Sequence, residues 1–357
     1  MHHATLWCVS GELICYHLVL PFIDEILRYD SLSIVGLEKN TGKTECLKYV
    51  LNRLPVESRR IAVTSIGIDG ETVDQVTRTQ KPEIVLREGM YFATSEMHYG
   101  QRRLVSELYD VSDENTSLGR VVTAKALTGG KILLSGPSSA ASLRRWMADM
   151  RRLNIDLVII DGALSRMSSA SPAVSQSMIL ATGAAYSANI NTLVSKTAHV
   201  VNLVNLDLTS DDNISRLEPV DKGLWAIDSE GRMRGLDALT SLSRDIQFEG
   251  MGDCKTLYVA GALVDGFLEK VRKNKDLKQV ELVVRDFTKI FVTPQQLRLF
   301  VKGGGRVSVL HKSKLIAVTV NPTSPSGYVL DSDMLCDRLS EAIGLPVYDL
   351  LKNDNLQ

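Results

Sequence analysis

Residues 31–54 read SLSIVGLEKNTGKTECLKYVLNRL, and the reading of this stretch decides the fold. Its first part, Leu32 to Val35, is a short apolar run of the kind a buried strand uses. Its last part sets Leu47, Val50, Leu51 and Leu54 at helical spacing. Between them stands GLEKNTGKT, a glycine-containing turn ending on Lys43 and Thr44. Strand, turn and helix in this order suit phosphate binding: turn N–H groups gather on phosphate oxygens, and the helix N-terminus adds its positive dipole end. The usual pattern is G-x-x-x-x-G-K-[ST]. Here five residues separate Gly36 from Gly42, one more than that pattern allows, so Leu37 stands where its first glycine would be. The plain alternative is a strand-to-helix turn with an incidental lysine.

On the phosphate reading, nucleotide contacts are expected from Gly36, Asn40, Thr41, Gly42, Lys43, Thr44 and Glu45. Lys43 would reach the β- and γ-phosphates, and the Thr44 hydroxyl would ligate Mg²⁺. Such a site also needs an acid at the end of a second strand. Asp161, in NIDLVIIDGALS, follows four apolar residues and is the expected catalytic and metal-holding partner of Lys43. Asp69, in IGIDGETVD, is a further metal candidate at a strand end, with an Asp-Gly turn as the equal alternative.

Working outward, strand-length apolar runs alternate with helix-length amphipathic stretches, which implies parallel βαβ units. Strands are expected at residues 32–35, 61–66, 131–135, 155–161, 178–181 and 199–206, and helices at 43–54, 140–153 and 189–197. Beyond a break near residue 240 the alternation resumes, with helices at 263–273, 294–302 and 331–343. The expected fold is α/β, a doubly wound, mostly parallel sheet followed by a smaller α/β unit. The division is an N-terminal segment 1–30, a nucleotide-binding domain 31–240 and a C-terminal domain 241–357; a single extended sheet is the runner-up.

Composition narrows the function. With 41 basic and 42 acidic residues the formal net charge is −1, which argues against nucleic acid or an anionic membrane as the main partner. Five scattered cysteines without a CxxC pair fit free thiols in a reducing compartment, hence the cytoplasm. The apolar run at 13–23 contains His17 and Pro21 and is too short for a membrane span, which needs about 20 residues.

The longer loop resembles that of dethiobiotin synthetase and the cobyrinate and cobyric acid amide-forming enzymes, members of the SIMIBI class. Asp161-Gly162-Ala163 is similar to the acid-Gly motif those enzymes carry at a later strand end. Two departures stand out. The strand IAVTSIG lacks the substrate-binding lysine of dethiobiotin synthetase, and the last third has only Cys254, Cys336 and His311 to offer a glutamine-hydrolysing domain, none in a nucleophile elbow. Glu38, not lysine, stands five positions before Lys43, where many dimerising SIMIBI proteins carry a signature lysine.

A second resemblance covers most of the chain. VGLEKNTGKTE, TSIGIDGE, KPEIVLREGMYFAT, IIDGALSR, ILATGAAYS and VTVNPTSPSG together look like the ATP-binding subunit of the reactivating factor of lysine 5,6-aminomutase. That resemblance implies an Mg²⁺-dependent ATPase chaperone. With a second subunit similar to mismatch-repair ATPases, it would exchange damaged cobalamin on the adenosylcobalamin-dependent mutase. It also draws attention to Lys81-Pro82 and Gly89 as an insertion, to residues 168–172 as a loop that could order around a γ-phosphate, for which a solvated Ser-rich loop is the favoured reading, to Thr182-Gly183 at the strand rim, and to Asn321-Pro322, for which a plain turn is the safer reading.

Two other functions compete. A stand-alone ATP-dependent ligase or kinase of the dethiobiotin synthetase type would act on a small metabolite. A GTP-dependent metallochaperone would need an [NT]KxD sequence, which Asn205-Leu206-Asp207 and Ser195-Lys196-Thr197 match poorly, so ATP is preferred.

Overall fold

A computed structural model describes residues 20–66, 82–163, 175–243, 246–248 and 250–354. A short helix, α1 (Phe22–Ile26), leads into β1 (Ser31–Gly36), whose residues are all buried, and α2 (Lys43–Arg53) follows. Next come β2 (Ile61–Ser65), β3 (Ile84–Leu86), β4 (Tyr91–Ser95) and the one-turn helix α3 (Glu96–Gly100). A hairpin of β5 (Ser106–Thr116) and β6 (Gly119–Ala126) precedes β7 (Gly130–Ile132) and α4 (Ala140–Arg152). Then β8 (Leu157–Ala163), β9 (Ser177–Gly183) and α5 (Ile190–Val204) complete the centre.

The chain continues through α6 (Asp211–Leu217), β10 (Leu224–Asp228), β11 (Met233–Leu236), β12 (Cys254–Val259) and β13 (Leu263–Val264). Helix α7 (Asp265–Lys273), β14 (Glu281–Val284), β15 (Ile290–Phe291), α8 (Pro294–Lys302) and β16 (Arg306–Val309) follow. It closes with β17 (Lys314–Asn321), α9 (Ser332–Ile343), β18 (Val347–Asp349) and α10 (Leu350–Asp354).

Among the described residues, nine strands form the main sheet in the order β18-β17-β9-β1-β8-β2-β4-β6-β5. Every pairing from β18 to β4 is parallel; β6 and β5 add an antiparallel edge. The fold is thus mixed α/β around a large, mostly parallel sheet. Parallel strands read as unbroken apolar runs because helices cover both faces. In β8, Ile159 packs with Leu47 and Leu51 of α2, while Val158 and Ile160 pack with Leu143 and Trp146 of α4. Alternate side chains leave on opposite faces, so each face needs its own cover. Each fully buried Leu or Ile here contributes about 1.5–3 kcal/mol of transfer free energy.

The second sheet has the order β11-β10-β12-β14-β16, with β12, β14 and β16 parallel and β10 antiparallel to β12. One hydrophobic cluster runs through both sheets, from Val35 and Leu180 to Leu257, Phe267 and Phe300. Residue 240, where the sequence rhythm breaks, falls between β11 and β12 of this one sheet, and β17 and β18 then return to the main sheet.

Two strand expectations are corrected. Residues 199–206 continue helix α5 almost to their end: Leu193, Thr197, Val201 and Val204 are buried at helical spacing, and packing overrides the β-branched composition. Residues 131–135 do not join the main sheet; β7 pairs antiparallel with β3 in a two-stranded ribbon. Within the described residues no helix is long and apolar enough to cross a membrane.

Candidate functional site

The turn between β1 and α2 folds back over its own start. A Cβ on Gly36 would meet Thr41 Oγ1 at 2.9 Å and the Glu38 carbonyl oxygen at 3.2 Å, so the site of the first glycine has no room for a side chain. Thr41, buried, donates its hydroxyl hydrogen to the Glu38 carbonyl at 2.8 Å and holds the turn shut. Asn40 (φ 62°) and Gly42 (φ 89°) adopt the left-handed conformation that Asn tolerates and Gly adopts freely. Leu37 N–H donates to the Ala181 carbonyl at 2.9 Å, tying the turn to β9.

Gly42 is the residue that caps α2, and it offers no side-chain acceptor. The first N–H groups of an α-helix have no partner inside the helix, so those of α2 are left for an acceptor from outside. Glu45, the acid of this first turn, is engaged with Lys48 Nζ at 2.9 Å. Lys43 and Thr44 are half-buried at its start.

Lys43 Nζ lies 2.8 Å from Asp161 Oδ1. Sheet register makes this contact: β8 is the direct neighbour of β1, with Ile34 opposite Asp161 and Gly36 opposite Ala163. The pair is Coulombic without hydrogen-bond alignment, so Oδ1 is buried with no hydrogen-bond donor of its own. A buried carboxylate oxygen in that state has spare acceptor capacity. Asp161 and Thr44 are hard oxygen donors, the kind Mg²⁺ takes, so they fit that ion. Among the described residues no three His, Cys, Asp or Glu side chains gather as a metal cage. Mg²⁺ sites built on one carboxylate with phosphate and water are of this lean kind.

Asn321, at the end of β17, is the part that reading the sequence as a plain turn missed. Its Nδ2 donates to the Asn40 carbonyl at 3.0 Å across 281 residues of chain. Its carbonyl accepts from Ala184 N–H at 2.8 Å, and a Cβ on Gly183 would sit 2.1 Å from that same oxygen. A Cβ on Gly42 would meet Asn321 Cβ at 3.1 Å. The return of β17 to the main sheet, beside β9, brings it here.

Other expected residues fall elsewhere. Thr182 is buried with its hydroxyl 3.0 Å from that of Thr197, so it turns away from the rim. Asp69, Lys81 and residues 168–172 lie outside the described residues. Pro82 and Gly89 flank β3, and a side chain on Gly89 would meet nothing within 4 Å. Burial pushes the Cys46 thiol up to about 12, and those of Cys254 and Cys336 up to about 11. In all three, burial disfavours the thiolate, the form in which a thiol reacts. His311 is paired with Glu218 at 2.9 Å.

Comparison of the chain with protein-family models, with curated proteins and with solved structures returns no match.

Proposed function

We propose that this chain binds Mg²⁺-ATP at the 36–45 turn and hydrolyses it as the nucleotide-binding subunit of a reactivating chaperone. The carrying observation is the meeting of Lys43 with Asp161 beside a side-chain-free helix start. A cation, free helix N–H groups and a carboxylate with spare acceptor capacity are together what a triphosphate–magnesium complex needs. The fold adds support, since ligands of parallel α/β sheets gather at the carboxyl ends of the strands, where all three stand.

In this reading the turn is a phosphate-binding loop within a doubly wound domain. The triphosphate draws Lys43 from Asp161 onto its β- and γ-oxygens. Asp161 and Thr44 would hold Mg²⁺, with Asp69 as the further ligand expected from sequence. Bound there, the ion would supply charge neutralisation to the triphosphate. Catalysis by this chain is positioning and charge stabilisation. No water-orienting base stands out in the sequence, so basal turnover is slow and rises when a partner is engaged.

The narrower reading rests on the resemblance of segments spread along the chain. The partners are a second, mismatch-repair-ATPase-like subunit and a lysine 5,6-aminomutase whose inactive cobalamin is exchanged, all in the cytoplasm. The test is ATP hydrolysis and mutase recovery by wild type and Lys43→Ala, with and without inactivated mutase. Loss of hydrolysis by about 10²–10³-fold together with loss of recovery is expected for the variant. Equal recovery by both proteins would overturn the chaperone reading, and stoichiometric phosphorylation of an added metabolite would replace it with a kinase or ligase.

A further inference from the structure

At the far end of the main sheet from β18, strand β5 pairs, among the described residues, with β6 alone. It is 11 residues long, and seven of them are exposed, on both faces of the sheet. An edge of this length presents a row of unpaired N–H and C=O groups, which natural proteins cover or blunt. Here no described element covers it. Apolar side chains stand in the open beside it: Val105 is 58% exposed, Leu108 54% and Tyr109 40%. Blunting alone does not call for these, since a strand needs no exposed Leu or Tyr to repel neighbours.

The charge of the strand is one-sided. SELYDVSDENT carries Glu107, Asp110, Asp113 and Glu114 and no Lys or Arg. Glu114 is taken by Arg145 of α4, while Glu107, Asp110 and Asp113 form no ion pair among the described residues. A second copy of this chain is therefore a poor occupant, because edge-to-edge pairing would bring four carboxylates of each copy onto one ladder. Residues 1–19 fit no better, having neither Lys nor Arg.

We propose that β5 is a docking edge for an extended, lysine- or arginine-rich segment of a partner protein, which adds a tenth strand to the sheet. Main-chain hydrogen bonds to the free edge would supply affinity, and Glu107, Asp110 and Asp113 would select basic side chains. Leu108, opposite Ala124, would meet the apolar residues, which alternate onto its face, while Glu107 and Asp110, opposite Lys125 and Thr123, face the basic ones. The local breaks in register, between Leu108 and Asp110 and between Val111 and Asn115, twist the strand.

The probe is a fluorescent peptide of alternating lysine and valine, about ten residues long, titrated into the full chain and followed by anisotropy. Saturable binding is expected. A twin peptide N-methylated at every second residue, on the edge that faces β5, is expected to bind at least about tenfold more weakly. The double substitution Asp110→Lys, Asp113→Lys is expected to weaken the parent peptide similarly, with its thermal unfolding followed to show that the fold is retained. Absence of binding overturns the proposal, leaving β5 a protected edge. Equal binding of the methylated twin overturns it too, because attraction of charge alone ignores the backbone. No nucleotide enters the assay, so its outcome is independent of the hydrolysis experiment.

Discussion

The Lys43 ammonium lies 2.8 Å from a carboxylate oxygen of Asp161, joining the first residue of α2 to the end of β8. Both side chains keep some contact with water, at 25% and 16% exposure, so the pair is accessible to an incoming ligand and only partly shielded. Replacing Asp161 by Asn keeps the shape and removes the charge. In wild type Mg²⁺ should strengthen ATP binding at least about tenfold; in Asp161→Asn that gain should vanish. With the metal chelated, the variant should bind ATP at least as tightly as wild type, because Lys43 is released from its partner. Calorimetric titrations with and without Mg²⁺ check this, and equal metal dependence in both proteins refutes it.

Asn321→Ala removes the donor to the Asn40 carbonyl while keeping the Cβ that stands against Gly42. The hydrogen bond is worth about 1 kcal/mol net. Stability should fall by that order in urea titration, and nucleotide affinity by about fivefold, since 1.4 kcal/mol is tenfold. Unchanged affinity beside reduced stability would mean that the turn keeps its shape without the clamp.

Gly183→Ala should be the more damaging change. The added methyl would stand 2.1 Å from the Asn321 carbonyl oxygen, a backbone atom of a central strand that no rotamer change can move aside. Overpacking of this kind costs about 1–3 kcal/mol. A Tm lowered by several degrees, with further loss of nucleotide affinity relative to Gly183, is the expected result in thermal unfolding and titration.

His199 carries a pH dependence. Burial, first, and then the nearby Arg298 lower its pKa below the ordinary 6.5, while its contact with the Val292 carbonyl opposes them. The unfolded chain then binds a proton more readily than the folded one, so stability rises with pH in this range. The contribution is present above about pH 6.5 and is lost as pH falls toward the lowered folded value. His199→Gln should flatten the slope of unfolding free energy between about pH 7 and 5. An identical slope in wild type and variant would assign the dependence to other groups.

What could be read from the chain alone was local. The apolar run, glycine turn and amphipathic helix of residues 31–54 are contiguous, and β1 and α2 form where that pattern puts them. Asp161 was legible because an acid closing an apolar run marks a strand end, and it meets Lys43. Residues 199–206 misled because HVVNLV has strand composition; only the buried positions of α5, four residues apart, show that it winds. The β5–β6 hairpin left no alternation to find, since β5 is exposed on both faces. Sheet membership was the least visible of all. Neither periodicity nor composition says that the chain returns from the second sheet to lay β17 beside β9, and so neither could raise Asn321 above a turn residue.

That long return also sets an order in time. Asn321 closes the turn from 281 residues downstream, so a nascent chain still threading from the ribosome has Gly42 and Gly183 facing an empty berth. Domains form progressively from the N-terminus during synthesis. Here the turn is made long before the strand that supplies Asn321, and a chain truncated before β17 would carry every residue of the GKT motif without that hydrogen bond.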